Sequence, residues 1–297
     1  MSRALEVVVA SGKGGTGKTT ISSFLLSYFS KRGLNIIGVD ADVEAPDLVI
    51  ALGQAKLRNS EEIHDSLIAI INEDRCTLCG KCYDACQFSA IDWDGKPIVI
   101  RELCEGCEVC SYVCDANAIR MEKIKTGEIK IYDTEFCKVI TGELEIGRKH
   151  SGKLVDILKN VARDNIKNGV IIVDAAAGTG CPVISSIAGS DYLVIVVEPT
   201  IYSIRTATKI VRIGENFGVN MGCVINKYDM NKPYVESIEK WARENNVNIL
   251  GAVPYDESIV RAYVSMQGIL KYSPNSIAVK YMKEIAEKLL DILGVEI

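Results

Sequence analysis

The chain has 297 residues, 48% of them hydrophobic, with a mean hydropathy of +0.14 and a formal net charge of −5. That leaves room for a full α/β domain plus something smaller around a substantial core, and the acidic balance excludes a nucleic-acid surface spread over the whole chain. Eleven cysteines need a reason other than disulfides, which a reducing cytosol disfavours. No apolar run approaches the ~20 residues of a membrane span, and the first strand begins without the charged and apolar regions of a secretory leader. A cytoplasmic protein without membrane association is expected.

An apolar run, Leu5 to Ala10, leads into SGKGGTGKTT, Ser11 to Thr20, and then into the helical pattern Ile21 to Lys31. Strand, Gly-rich loop, helix is the order a phosphate-binding loop requires, and Gly12, Gly17, Lys18 and Thr19 meet its frame G-x-x-x-x-G-K-[ST]. Gly14, Gly15 and Thr16 complete a loop whose backbone N–H groups can turn inward on phosphate, aided by the helix dipole. Lys18 would reach the β/γ-phosphates, the Thr19 hydroxyl would ligate Mg²⁺ and Thr20 could donate to an α-phosphate.

A second lysine, Lys13, sits inside the loop. The run KGGTGKTT resembles the variant phosphate loop of MinD/ParA-type ATPases, which include the nitrogenase iron protein and Mrp-type scaffold ATPases. In that family the extra lysine reaches the partner's nucleotide, so the resemblance implies a homodimer formed on ATP binding.

Asn35 to Val39 is a short apolar strand ending in Asp40-Ala41-Asp42, at the sheet edge where Mg²⁺ and the γ-phosphate should sit. The resemblance makes Asp42 a switch I residue that positions the attacking water, and Asp47 could help hold that loop. From Val43 to Asp65 the chain reads as irregular and polar, broken by Pro46 and Gly53.

Eight cysteines then follow: Cys76, Cys79, Cys82, Cys86, and Cys104, Cys107, Cys110, Cys114. Each quartet reads C-x2-C-x2-C-x3-C, the second repeats the first at a shift of 28 residues, and Ala90-Ile91 recurs as Ala118-Ile119. This duplication matches the bacterial two-cluster ferredoxin pattern, in which the fourth cysteine ligates the other cluster. By that rule Cys76, Cys79, Cys82 and Cys114 hold one 4Fe-4S cluster, and Cys104, Cys107, Cys110 and Cys86 hold the second. Zinc is the bland alternative, but its modules usually separate two pairs by a longer loop, and no histidine lies within the segment. Gln87 and Asp115 replace the proline that usually follows the fourth cysteine, which bears on cluster potential rather than ligation. Nine Asp/Glu stand against five Lys/Arg from Asp74 to Glu122, either a solvated face or a docking surface for a basic redox partner.

Glu128 to Ile146 suggests short strands, and Ser151 onward an amphipathic helix stopped by Asn168-Gly169. Val170 to Val173 is a buried-type strand ending in Asp174, with Gly178 four residues on. The carboxylate would accept Mg²⁺-bound water and the glycine could approach the γ-phosphate. Asp191 to Thr200 and Val219 to Ile225 are further strands, the second running into Asn226-Lys227-Tyr228-Asp229. In the resembled ATPases an asparagine here reads adenine. The same residues also fit N-K-x-D, a guanine-reading motif, and the Lys13 loop is what favours ATP. Pro254 closes a short strand and is expected to wall the base pocket. The helix Ile277 to Leu293 lacks the basic cluster of a membrane-targeting tail, so core packing is the better reading.

Cys223 reads as a small buried hydrophobe. In the nitrogenase iron protein a ligand of a subunit-bridging cluster follows switch II at a distance comparable to Cys181. With Cys137 as companion that would place four thiolates across a two-fold axis; inert or regulatory thiols are the alternative. The expected architecture is a doubly wound, mainly parallel α/β sheet of the P-loop NTPase type, residues 1–70 and 126–297, with a small α+β ferredoxin domain inserted at 71–125. The function expected is ATP-gated electron transfer through two 4Fe-4S clusters to an unidentified protein partner. Cluster delivery in the manner of Mrp-type ATPases, or a positioning ATPase with a redox-sensing ferredoxin, are the alternatives.

Overall fold

The computed structural model describes residues 3–295. In chain order they form β1 (Leu5–Ser11), α1 (Lys18–Lys31), β2 (Ile36–Ala41), α2 (Leu48–Leu52), β3 (Ala55–Ile63) and β4 (Ser66–Ile71). Next come α3 (Lys81–Ala85), β5 (Ile91–Trp93), β6 (Pro97–Val99), α4 (Val109–Tyr112), β7 (Ile119–Ile124), β8 (Gly127–Thr134) and β9 (Lys138–Leu144). The remainder is α5 (Ser151–Asn165), β10 (Val170–Ala177), α6 (Cys181–Ile187), β11 (Tyr192–Val197), α7 (Ile201–Asn216) and β12 (Asn220–Asn226). The chain then runs through α8 (Lys232–Glu244), β13 (Asn248–Val253), α9 (Glu257–Val264), α10 (Ile269–Tyr272) and α11 (Ile277–Leu293).

A nine-stranded sheet runs in the order β13-β12-β11-β1-β10-β2-β9-β8-β3. Every pairing from β13 to β9 is parallel. Strands buried on both faces must be apolar throughout, which is why Val7–Ala10, Ile171–Val173 and Leu193–Val197 read as unbroken hydrophobic runs. From β1 the chain goes to β2 on one side, returns to β10, and then crosses to β11 on the other. The winding therefore reverses at β1, and the loop after β1 opens at the carboxyl edge where ligands bind in such sheets.

Helix α1 buries Phe24, Leu25 and Phe29, and α11 buries Val279, Met282, Ile285, Ala286 and Leu289 in the same core cluster. The 3-4-3 spacing of Val279, Met282, Ala286 and Leu289, with Ile285 alongside, puts one apolar stripe inward, each full Leu or Ile burial contributing about 1.5–3 kcal/mol. The Ser276 hydroxyl caps its start and Gly294, left-handed at φ 63°, ends it. Core packing was expected of this helix and is what it does. Among the described residues no helix is long and apolar enough to cross a membrane.

Two expectations need correction. The stretch 43–65 is not irregular: it forms the turn of helix α2 and then β3, a nine-residue strand at the sheet's edge. Residues 55–62 of that strand are exposed throughout, so KLRNSEE carries no apolar alternation to read. Charged side chains on an edge strand are a common guard against unwanted pairing.

The second correction concerns the inserted unit. The chain divides into two compact units, one made of Glu61–Glu128 with Leu144–His150 and the other of the remaining described residues. Boundaries drawn around the cysteines, at 71–125, miss β4, which pairs antiparallel with β7 from Ser66↔Ile124 to Ile71↔Ile119 and closes the unit. They also miss the return of residues 144–150.

Candidate functional site

Lys18 is the first residue of α1 and is buried, as the loop before it folds back over its own helix. Gly17 precedes it at φ 94°, a left-handed conformation that disfavours side chains, and an added Cβ there would lie 2.3 Å from the Asn226 amide nitrogen. The Thr19 hydroxyl lies 2.7 Å from Asp174 Oδ2 and 3.1 Å from Asp47 Oδ1, so its one proton has two carboxylates to choose between. Ser22 donates to the other Asp174 oxygen at 2.8 Å. Strands β2 and β10 are in register at Asp40↔Asp174, which sets two fully buried carboxyls side by side. Burial pushes Asp174 up to about 6, against the pull of the Lys18 ammonium. Burial first, and then the charge of Asp174, also holds Asp40 well above the ordinary carboxylate range. A divalent cation beside Thr19 would relieve both.

Gly14 to Thr20, Asp42 and Asp47 line one cavity of about 430 Å³. Half-buried Asp42 is raised by burial and lowered by Lys18. The Gly178 N–H, expected to meet a γ-phosphate, here donates to the Ser11 carbonyl at 3.0 Å and would have to be released. The opposite wall of the cavity was not foreseen: Ile259, Val260 and Tyr263 of α9, with Gln267 beyond it. The Tyr263 hydroxyl lies 3.4 Å from Asp47. A short amphipathic helix without a motif carries no sequence signal of its role.

Asn226, Lys227 and Pro254, expected to read or wall the base, do not line this cavity. Buried Asn226 instead donates its amide to the Thr16 carbonyl at 2.7 Å, and Lys227 Nζ donates to the Gly15 carbonyl at 2.9 Å. They hold the loop by its carbonyls, which leaves its N–H groups free to face inward. Removing the Asn226 amide leaves a buried acceptor unpaired. Asn226→Ala should therefore weaken nucleotide binding by roughly 1–2 kcal/mol, about 5- to 30-fold. Titration with ATP and with GTP should show both affinities falling together, whereas a base-reading asparagine would change their ratio.

Lys13 points along its own chain, its ammonium 2.6 Å from Glu198 Oε2. Lys227 takes the other oxygen at 2.6 Å. The two lysines hold the Glu198 carboxyl below its usual range despite burial, which acts to raise it. Glu198 falls within the strand expected at Asp191 to Thr200, and a carboxylate just past a parallel strand's carboxyl edge is the signal it offers.

Residues 7–269 match the CobQ/CobB/MinD/ParA nucleotide binding domain. The chain belongs to this family. An uncharacterized protein of Methanocaldococcus jannaschii, MJ0578, is 34% identical over 294 residues, covering 97% of this chain and 98% of its own. An uncharacterized ATP-binding protein of the same organism, MJ0547, is 26% identical and covers 97% and 88%. Among solved structures, the septum site-determining protein MinD of Pyrococcus horikoshii complexed with Mg-ADP aligns with a TM-score of 0.61 at 18% identity, covering 98% of each chain. At that identity the likeness is one of fold, and it spans the doubly wound sheet described above.

The second unit of this MinD/ParA-family chain brings its cysteines together across the repeat. Cys76, Cys79, Cys82 and Cys114 line one small cavity, walled by Trp93 and Pro97. Burial pushes the Cys110 thiol up to about 11, with the neighbouring Cys104, Cys107 and Cys86 adding to the rise. The backbone repeats as the sequence does: left-handed residues fall at Leu78 and Gly106, Gly80 and Glu108, Ser89 and Asn117, each pair 28 apart. Side chains in that region cost of order 1 kcal/mol each and persist where a site demands them. The alanines of the repeat have a matching job, since the Ala90 N–H donates to Cys86 Sγ and the Ala118 N–H to Cys114 Sγ, both at 3.3 Å. Among the described residues no group of three or more His, Cys, Asp or Glu side chains is set to hold a single metal ion.

Of the remaining cysteines, Cys223 is fully buried in β12, as expected. Cys137 is partly buried, packed against the main core, and burial pushes its thiol up to about 12, whereas Cys181 is exposed.

Proposed function

We propose that this protein is an ATP-hydrolysing switch whose nucleotide state gates electron transfer through two 4Fe-4S clusters to a protein partner. One observation carries the reading: the eight cysteines gather as two crossed quartets in a unit whose chain leaves after Asp47 and returns before Asp174. A segment tied at both ends between two phosphate-sensing loops shifts when those loops order and relax. Cys76, Cys79, Cys82 and Cys114 would hold one cluster, and Cys104, Cys107, Cys110 and Cys86 the other. Such clusters accept and pass single electrons, with potentials set in part by hydrogen bonds to sulfur of the kind Ala90 and Ala118 supply.

In the nucleotide site Lys18 binds phosphate, Thr19 and the carboxylate of Asp174 hold Mg²⁺ and its water, and Asp42 orients the attacking water. Lys13 leaves Glu198 to complete the site of a second copy, so ATP binding drives a homodimer. The test is a potentiometric titration of anaerobically purified protein followed by EPR, with Mg-ADP and with a non-hydrolysable ATP analogue. The analogue should shift the cluster potential or the rate of oxidation by a dye such as methyl viologen. An unchanged potential and rate would end the gating claim. Loss of iron to an apo-ferredoxin on ATP addition would favour cluster delivery instead.

A further inference from the structure

Helix α6 follows directly on the turn Gly178-Thr179-Gly180, and α5 is the first element after the returning segment Leu144–His150. The two helices are fastened to each other at both ends of α6. Near its start lies Gly152, where an added Cβ would meet Ser185 Oγ at 2.9 Å and both the Cβ and the carbonyl oxygen of Cys181 at 3.2 Å. The backbones approach more closely there than side chains normally allow. Two turns further along α5, Lys159 is buried with its ammonium on the far end of α6. It donates to the carbonyls of Ser185 at 2.9 Å, Ser186 at 2.7 Å and Ala188 at 2.6 Å. These include carbonyls a helix end leaves without internal partners.

Lys159 also pairs with Glu6 Oε1 of β1 at 2.8 Å, and Arg163 takes Glu6 Oε2 at 2.8 Å. Burial lowers the Lys159 pKa while Glu6 raises it. A buried ammonium is a costly way to fill space, and an apolar side chain of like volume does so with less desolvation. What the ammonium adds is position, because three carbonyls fix one end of α6 to the middle of α5 while Glu6 ties the same ammonium to β1.

We propose that Gly152 and Lys159 are positioning residues that make α5 and α6 move as one body, so that a nucleotide-driven change at Gly178–Gly180 reaches the segment 144–150. This rests on the switch reading above and names the route by which it acts. When the Gly178 N–H leaves the Ser11 carbonyl for a γ-phosphate, α6 is drawn along, and α5 cannot stay behind without opening both fastenings.

Amide hydrogen exchange on anaerobically prepared protein tests this, comparing Mg-ADP with Mg-AMPPNP. In the wild type, peptides from α6 and from residues 144–158 should change protection together. In Gly152→Val and Lys159→Met, α6 should still respond, while the response of 144–158 falls by roughly 2- to 30-fold, the range of such coupling changes. A residue with a merely structural role would lower protection in both nucleotide states and leave the difference between them intact. Should one variant not fold, the other still decides, because a wedge in the first and a lost cap in the second destabilise for different reasons. A wild-type response confined to α6, or variants that respond as the wild type does, overturns the proposal. If no peptide distinguishes the nucleotides, the switch reading itself falls, and the positioning roles with it.

Discussion

Replacing Asp174 with Asn is expected to raise the melting temperature of the nucleotide-free protein and to abolish its Mg²⁺-dependent nucleotide binding. The carboxyl is fully buried, beside Asp40 in the next strand, and its pKa is raised from 3.8 to about 6, chiefly by burial. A group raised on folding contributes stability that is complete below its unfolded pKa and lost as pH climbs through the folded one. Asp174 therefore favours the folded state near pH 4, and by pH 7.5 that contribution has gone, a swing on the order of 3 kcal/mol. Asparagine does not ionise, and its one oxygen can still accept from Thr19 or Ser22. The gain in melting temperature should be roughly 4–6 °C at pH 7.5 and should vanish near pH 4. Calorimetry across that range, paired with ATP titrations with and without Mg²⁺, checks both halves. A variant that melts below the wild type at pH 7.5 would mean that the two carboxyls are not in conflict. Such a trade of stability for function is the common condition of a site built to receive a cation.

Motifs fixed by chemistry were legible, and residues fixed only by packing were not. Lys18, Thr19 and Asp42 line one cavity, with Asp174 buried directly behind Thr19, and they could be singled out in advance because a phosphate and a metal ion demand those groups at strand ends of a parallel sheet. The cysteine repeat is visible in the chain by its spacing alone, and the structure adds that Ala90 and Ala118 donate to Cys86 and Cys114 Sγ while Ser89 and Asn117 share a left-handed backbone. Asn226 and Lys227 lie at the end of β12 as expected, and the contacts they make there are to the loop carbonyls of Thr16 and Gly15. A side-chain amide at that point can face a base or a loop carbonyl, and only the fold of the loop decides between them. Helix α9 was missed because one apolar stripe on eight residues is what any packed helix shows. β3 was missed because an edge strand need bury nothing. The close approach at Gly152 left no trace at all, since a glycine in the first turn of a helix is ordinary by sequence.

Cys114→Ala should remove the cluster of the first quartet, and Cys86→Ala that of the second, each lowering iron from about 8 to about 4 atoms per chain. The chain order of the ligands argues otherwise: Cys114 follows Cys104, Cys107 and Cys110, and a local reading would assign it to them. The cavity formed by Cys76, Cys79, Cys82 and Cys114 is the reason to expect the crossed assignment. Single variants cannot separate the two, because both assignments lose one cluster. Pairs can, since two changes at one site are redundant and two at different sites add. With crossed ligation, Cys79→Ala adds nothing to Cys114→Ala, and the double variant keeps about 4 iron atoms. Cys107→Ala added to Cys114→Ala leaves almost none. Uncrossed ligation reverses the two results. Iron assay and visible absorbance on anaerobically purified protein read the outcome directly. Crossing also has a mechanical consequence: each cluster then pins the loop of one repeat to the helix of the other, so losing either ligand should loosen both halves of the unit rather than one. Proteolysis of the two single variants should accordingly cut on both sides of the 91–99 hairpin, at similar rates in each.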